Sequence, residues 1–211
     1  LKLQLSCDLP SLEDVFELLE QTAQYVDIIE LGTPLVFNAG LRNLAVVKGR
    51  FPDKTVLADL KIMDGGYQNA ELAFAAGADI VTALALASAG TLQQVLQCAR
   101  DHGRKVMVDM LGTEEIPNRL DLLASLRPHY ICVHTSVDQR SQEDLVATLR
   151  AVRESAPEAE VAVAGGINLD NLAALLQEGP DIVVVGRAVA DAPHPEAAAR
   201  RFRERLDHSR D

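Results

Sequence analysis

Asp59 and Lys61 stand two residues apart inside the apolar run Leu57-Ala58-Asp59-Leu60-Lys61-Ile62, and Asp64 follows three residues later. Residues two apart share one face of a strand, so a carboxylate and an ammonium are brought together there. A structural ion pair is the plain alternative. Two charges set into an apolar wall are costly, and that cost favours a functional role. Glu30 closes the run Val26-Asp27-Ile28-Ile29, and a Glu buried without a role is rare. Asp8 and Asp109 each end a further apolar run, where opening a turn or capping a loop is an equal reading. His134 ends another, as a satisfied core histidine or, slightly favoured, as an acid/base group. Asp64 precedes Gly65-Gly66 and taken alone reads as a helix N-cap. If these carboxylates converge on one mouth, they cannot all stay ionised without relief. Lys61, or a hard divalent ion held by oxygen ligands such as Mg²⁺, would supply it.

A second group of residues suits phosphate. Gly165-Gly166 follows one apolar run, and Gly186-Arg187 follows the next. Backbone N–H groups in such loops, helped by a helix N-terminus, hold phosphate in many α/β barrels. Arg187 adds a charged fork. Plain turn glycines are the alternative, and two such sites in successive loops weigh against it.

Positioning these residues falls to eight short runs, apolar on both faces: residues 2–7, 26–30, 55–61, 80–83, 106–110, 130–134, 160–164 and 182–185. That is how doubly buried parallel strands read. Amphipathic stretches predict helices over 11–22, 65–76, 91–102, 142–154, 168–177 and 195–206, with Ser11 and Asp14 as a capping-box-like start and Gly77 and Gly103 as stops. The last four residues, 208–211, read as a frayed tail. Units of about 25 residues without a copied motif, and right-handed crossovers, favour closure into a compact single-domain (β/α)8 TIM barrel of the α/β class spanning 1–211. At 211 residues the barrel must be trimmed, since about 250 is usual. Aromatics are only 4% and Trp is absent, so Val, Leu, Ile and Ala must fill the core. The net charge of −11 disfavours nucleic acid and anionic membranes. Cys7, Cys98 and Cys132 form no CxxC pair and read as buried, reduced thiols. No apolar run is long enough to span a membrane and no signal peptide is evident, so a cytoplasmic protein is expected.

With those residues assembled, the whole chain resembles the orotidine 5′-monophosphate decarboxylase superfamily, in the branch of 3-hexulose-6-phosphate synthase and 3-keto-L-gulonate-6-phosphate decarboxylase. The resemblance is carried by Val26-Asp27-Ile28-Ile29-Glu30-Leu31-Gly32-Thr33, by Asp59-Leu60-Lys61-Ile62-Met63-Asp64 and by Val163-Ala164-Gly165-Gly166. It implies Mg²⁺ (with Mn²⁺ able to stand in) on Glu30 and Asp59, with Lys61 neutralising an enediolate oxygen. It also implies Asp109 and His134 in proton transfer, Asp8 on substrate hydroxyls, and Gly165, Gly166, Gly186 and Arg187 on the phosphate. Asp64 would reach into a partner's site, which makes the unit a homodimer with shared active sites.

Two activities share this machinery. The synthase joins formaldehyde to D-ribulose 5-phosphate, as an aldehyde-lyase in reverse. The decarboxylase releases CO₂ from 3-keto-L-gulonate 6-phosphate. Asp109 where decarboxylases have Glu, Val137 where they have Arg, and Ala164 where they have Thr all favour the synthase. The stretch Ala83-Leu84-Ala85-Leu86-Ala87-Ser88 departs from the family's usual Gly and acidic residue. Ribulose-phosphate 3-epimerases rank low because the first three strands carry no His. A non-catalytic phosphosugar-binding protein would not need Lys61 among four mouth carboxylates.

Overall fold

The computed structural model describes residues 1–114, 116–135 and 142–210, the side chains of 142–144 and 210 excepted. Eight parallel strands form a closed barrel in sequence order, β1 pairing with both β2 and β8. They are β1 Lys2–Cys7, β2 Ile28–Leu31, β3 Thr55–Ile62, β4 Ile80–Leu84, β5 Lys105–Asp109, β6 Tyr130–His134, β7 Glu160–Ala164 and β8 Ile182–Val185. The predicted start of β2 at residue 26 is two residues early, and β5 is displaced by one. Around the barrel lie α1 Leu12–Thr22, α2 Thr33–Ala39, α3 Arg42–Arg50, α4 Gly66–Ala75, α5 Ala89–His102, α6 Ile116–Leu126, α7 Gln142–Ser155, α8 Leu172–Leu176, α9 Arg187–Ala190 and α10 Pro195–Asp207.

Two apolar clusters follow from the strand alternation. Ile28, Leu57, Ile80, Met107, Tyr130, Cys132, Ala162, Ala164, Ile182 and Val184 fill the barrel interior. The intervening strand residues, such as Leu3, Leu5, Ile29 and Val56, pack outward against the helices. Going up the interior, the inward positions turn polar: Glu30 follows Ile28, Asp59 follows Leu57, Thr82 follows Ile80, and Asp109 follows Met107. These polar side chains are therefore stacked on an apolar plug at the C-terminal rim. Cys7, Cys98 and Cys132 are buried and free of disulfides, as expected.

The opposite rim carries a repeat that sequence reading missed. The residue just before each even strand accepts a hydrogen bond from the backbone of the preceding odd strand. Asp27 takes the Leu3 N–H at 2.8 Å, Asp79 that of Val56 at 2.9 Å, His129 that of Val106 at 3.3 Å and Asp181 that of Val161 at 2.8 Å. Three of the four sites read Asp-Ile (27–28, 79–80 and 181–182), so a small copied motif does exist, with a period of two units. Basic side chains balance these carboxylates: Arg203 on Asp27, Lys48 and Arg104 on Asp79, and Arg153 on Asp181.

Local rules explain the helix ends. Ser11 Oγ accepts from the Asp14 N–H at 3.1 Å, and Gly103 closes α5 in the left-handed conformation. Ser88 Oγ caps α5 by accepting the Thr91 N–H, so that helix begins at Ala89 rather than at 91. The helix expected over 168–177 shrinks to Leu172–Leu176. Asn168 Oδ1 accepts from the N–H groups of Asp170 and Asn171, making a turn that competes with helix. Residues 208–210 form one short 3₁₀ turn, and 211 lies outside the described residues.

Candidate active site

Asp59 is the best-held polar group at the rim. It is only 3% exposed. Its Oδ2 accepts from Thr33 Oγ1 at 2.9 Å and pairs with the Lys61 ammonium, while Oδ1 accepts from Thr82 Oγ1 at 2.8 Å. The start of α2 and strands β3 and β4 thus converge on one carboxylate. Lys61 is in a left-handed backbone conformation, φ +46°, at a register shift between β3 and β4. Its own N–H donates to Thr82 Oγ1 at 2.8 Å. This bulge breaks the simple alternation of β3 and turns the ammonium back onto Asp59. Strain of this kind is held only where surrounding contacts enforce it. Burial alone would lower the Lys61 pKa, but Asp59, with Asp109 and Glu30 behind it, outweighs burial and raises it.

Glu30 lies beside this pair, buried, with Gln4 Nε2 donating to its Oε2 at 2.6 Å. Burial pushes its carboxyl up to about 8, with Asp59 and Asp8 adding repulsion against the opposing pull of Gln4 and Lys61. Gln4 Oε1 is buried and has no hydrogen-bond partner among the described residues. Two buried carboxylates that repel each other, next to an orphaned amide oxygen, form an oxygen-only set suited to a hard cation. The residues present therefore fit the Mg²⁺ that the resemblance implies. Asp8 is at the lip of the mouth, taking a hydrogen bond from Ser6 Oγ at 3.0 Å. A Cβ on Gly32 would lie 2.3 Å from Asp8 Oδ1, and one on Gly186 3.7 Å from Oδ2. The first loop, the second and the last thus meet around Asp8.

Asp109 and His134 face each other across β5 and β6, with His134 Nδ1 2.9 Å from Asp109 Oδ2. Asp109 also accepts the Leu111 N–H at 2.9 Å, so it does cap its loop. An Nδ1–H donated to Asp109 leaves Nε2 of the neutral ring as the basic nitrogen.

Gly165 and Gly166 have φ of +100° and +65°. A Cβ on Gly165 would sit 2.3 Å from the Thr135 carbonyl oxygen, so the β6 and β7 loops touch backbone to backbone. Asn171 Nδ2 secures the same turn by donating to the Gly166 carbonyl at 3.0 Å. Pairing of β7 with β8 sets this turn beside Gly186, which precedes α9, and beside the exposed Arg187. Asp64 is different. It is exposed, and it is not the N-cap of α4: Gly65 holds that place in a left-handed conformation without a side-chain cap. Among the described residues only the Asp64 carbonyl is engaged, by Asn69 Nδ2 at 2.9 Å. Among the described residues it does not join the other acids. Val137 and the rest of 136–141 lie outside the described residues.

Sequence reading passed over Gln4, Thr33 and Thr82 as individual site residues. Gln4, Ser6 and Asp8 do carry a signal, since polar side chains at a period of two mark one strand face. Thr82 carried none until the register placed it against Asp59.

Comparison with known proteins follows the same line. The model of the orotidine 5′-phosphate decarboxylase / HUMPS family matches residues 1–202. The 3-hexulose-6-phosphate synthase of Bacillus subtilis (strain 168) is 36% identical over 205 residues, covering 97% of this chain and 98% of that one. The crystal structure of 3-hexulose-6-phosphate synthase from Salmonella typhimurium superposes with a TM-score of 0.94 at 37% identity, covering 99% of this chain and all of the other. That of KGPDC from Streptococcus mutans, solved as a complex, gives 0.89 at 25%, covering 98% and 97%. The chain belongs to the orotidine 5′-phosphate decarboxylase / HUMPS family.

Proposed function

We propose that this protein is a 3-hexulose-6-phosphate synthase, which joins formaldehyde to C1 of D-ribulose 5-phosphate and also runs the reverse reaction. The observation that carries the reading is the buried Asp59–Lys61 pair, fixed by Thr33 and Thr82 beside Glu30. Full-length identity of 36% to synthases, against 25% to the KGPDC structure, supports the synthase over the decarboxylase.

The residues divide the work. The Gly165-Gly166 turn, Gly186 and Arg187 hold the phosphate, and Asp8 takes sugar hydroxyls. His134 Nε2, oriented by Asp109 through Nδ1, removes the proton from C1 and later delivers it to the oxygen of the added formaldehyde. Lys61 offsets the negative charge that grows on the enediolate oxygen. Glu30 and Asp59 would hold Mg²⁺, kept in place by Gln4, Thr33 and Thr82. The chemistry that ion supplies when bound is polarisation of the substrate's vicinal oxygens.

The active unit is a homodimer. Phe37 on α2 is 85% exposed and Met63, next to Asp64, is 50% exposed. An apolar surface at the rim beside an acid without a partner in its own site fits a second copy, with Asp64 entering that copy's mouth. No helix among the described residues is long and apolar enough to cross a membrane.

Proton exchange tests enediolate formation alone. In D₂O, without formaldehyde, the C1 protons of D-ribulose 5-phosphate should exchange, seen by proton NMR. A substrate that keeps both C1 protons at high enzyme concentration would count against the reading.

A further inference from the structure

The polar ring has a member that the proposed reaction does not use. Cys132 lies on the inner face of β6, two residues before His134, and pairs in register with Asp109 on β5. One donor atom from each of Asp109, Cys132 and His134 lies within 4.8 Å of the others. These are an oxygen, a sulfur and a nitrogen, all carried on strands rather than loops. We propose that they form a second metal site in the mouth, selective for a borderline-soft divalent ion such as Zn²⁺.

The donor chemistry separates this site from Glu30 and Asp59. Those two offer oxygen only and suit a hard ion, whereas thiolate with imidazole and carboxylate is a zinc set. Three protein ligands leave one tetrahedral position for water or a substrate oxygen. Zinc bonds of about 2.0–2.3 Å put donors roughly 3.5 Å apart, so the wider spacings, up to 4.8 Å, must draw in by about an ångström while the His134–Asp109 pair, at 2.9 Å, opens slightly. On binding, Cys132 releases its thiol proton to solvent, and the ion replaces the Nδ1 proton between His134 and Asp109, which moves to Nε2 of the ring. No electron changes hands. Resting on the proposed role of His134, the consequence is inhibition: a dyad that ligates zinc cannot accept a proton. Zinc would then switch the enzyme off reversibly while Mg²⁺ kept it active.

Co²⁺ serves as the probe, added to protein already saturated with Mg²⁺. One equivalent should give an intense near-ultraviolet thiolate-to-cobalt band. Cys132→Ser and Cys132→Ala should both lack it while keeping basal turnover. In the same variants the Zn²⁺ concentration that halves turnover should rise roughly tenfold or more. The absence of a band in the parent protein, or an unchanged band or unchanged Zn²⁺ inhibition in the two variants, would overturn the proposal. The band is read without substrate, so it decides the metal site even if the synthase reading fails.

Discussion

Asp59 receives hydrogen bonds from Thr33 and Thr82 and pairs with Lys61, so its carboxylate is oriented before any substrate arrives. Replacing it with Ala removes a proposed metal ligand and leaves a partly buried ammonium without its partner. Asp59→Ala should lower kcat/KM by at least about a thousandfold, worth roughly 4 kcal/mol, while the circular dichroism spectrum keeps its barrel signature. Near-normal turnover would remove Asp59 from the metal site. Gly165→Ala tests the backbone contact with Thr135. The new Cβ would clash with a carbonyl in a conformation unsuited to L residues, costing about 1–3 kcal/mol in a denaturant titration. No change would mean that the two loops can part freely. At this scale, charged residues inside apolar runs were legible: Glu30, Asp59 and Lys61 stood out because burying them needs a reason. Thr82 did not, because a Thr in a strand is ordinary and only pairing across β3 and β4 gives it a task.

Among the elements, the four caps at the N-terminal rim make a pH prediction. His129 accepts the Val106 N–H through Nδ1, which requires the ring to be neutral. Burial and the nearby Lys105 and Arg100 charges lower its pKa from the usual 6.5. The unfolded chain therefore takes up the proton first. The contribution of this cap is complete above about pH 6.5 and falls as the pH drops toward the lower folded value. Asp fills the equivalent place at 27, 79 and 181. His129→Asp should keep the hydrogen bond, worth about 1 kcal/mol, and so lose less stability between pH 7.5 and 5.5 in urea titrations. An identical loss in both proteins would refute the cap's role. All eight strands were legible because doubly buried runs bounded by Gly, Asp or Pro have few other readings. The helices α2, α3 and α6 were not: Thr33-Pro34 and Gly40 interrupt the first stretch, and mixed polar residues blur the stripe of the others. The Asn168 turn was invisible to periodicity because it is built by side chains bonding the backbone.

At the scale of the whole molecule, closure of the barrel was legible from eight alternating units, whereas assembly is not written in one chain's periodicity. Asp64 shows why: its proposed use depends on the surface of a second copy, which one chain does not contain. Phe37→Glu, placed on the proposed two-fold surface, should shift a dimer to monomer in sedimentation velocity and take most of the activity with it. An active monomer would end the shared-site role of Asp64. A charge of −11 would repel a sugar phosphate at long range. Capture then depends on the local positive ends assembled at the mouth, Lys61, Arg187 and the glycine turns. Formaldehyde consumption tests the proposed metal-dependent aldol chemistry at that mouth most directly. With D-ribulose 5-phosphate and Mg²⁺ present, formaldehyde should disappear, and it should stop disappearing when either the sugar phosphate is omitted or excess EDTA is added. Consumption that persists in EDTA would contradict the assignment of Glu30 and Asp59, and no consumption with both present, followed by CO₂ release from 3-keto-L-gulonate 6-phosphate, would contradict the synthase reading itself.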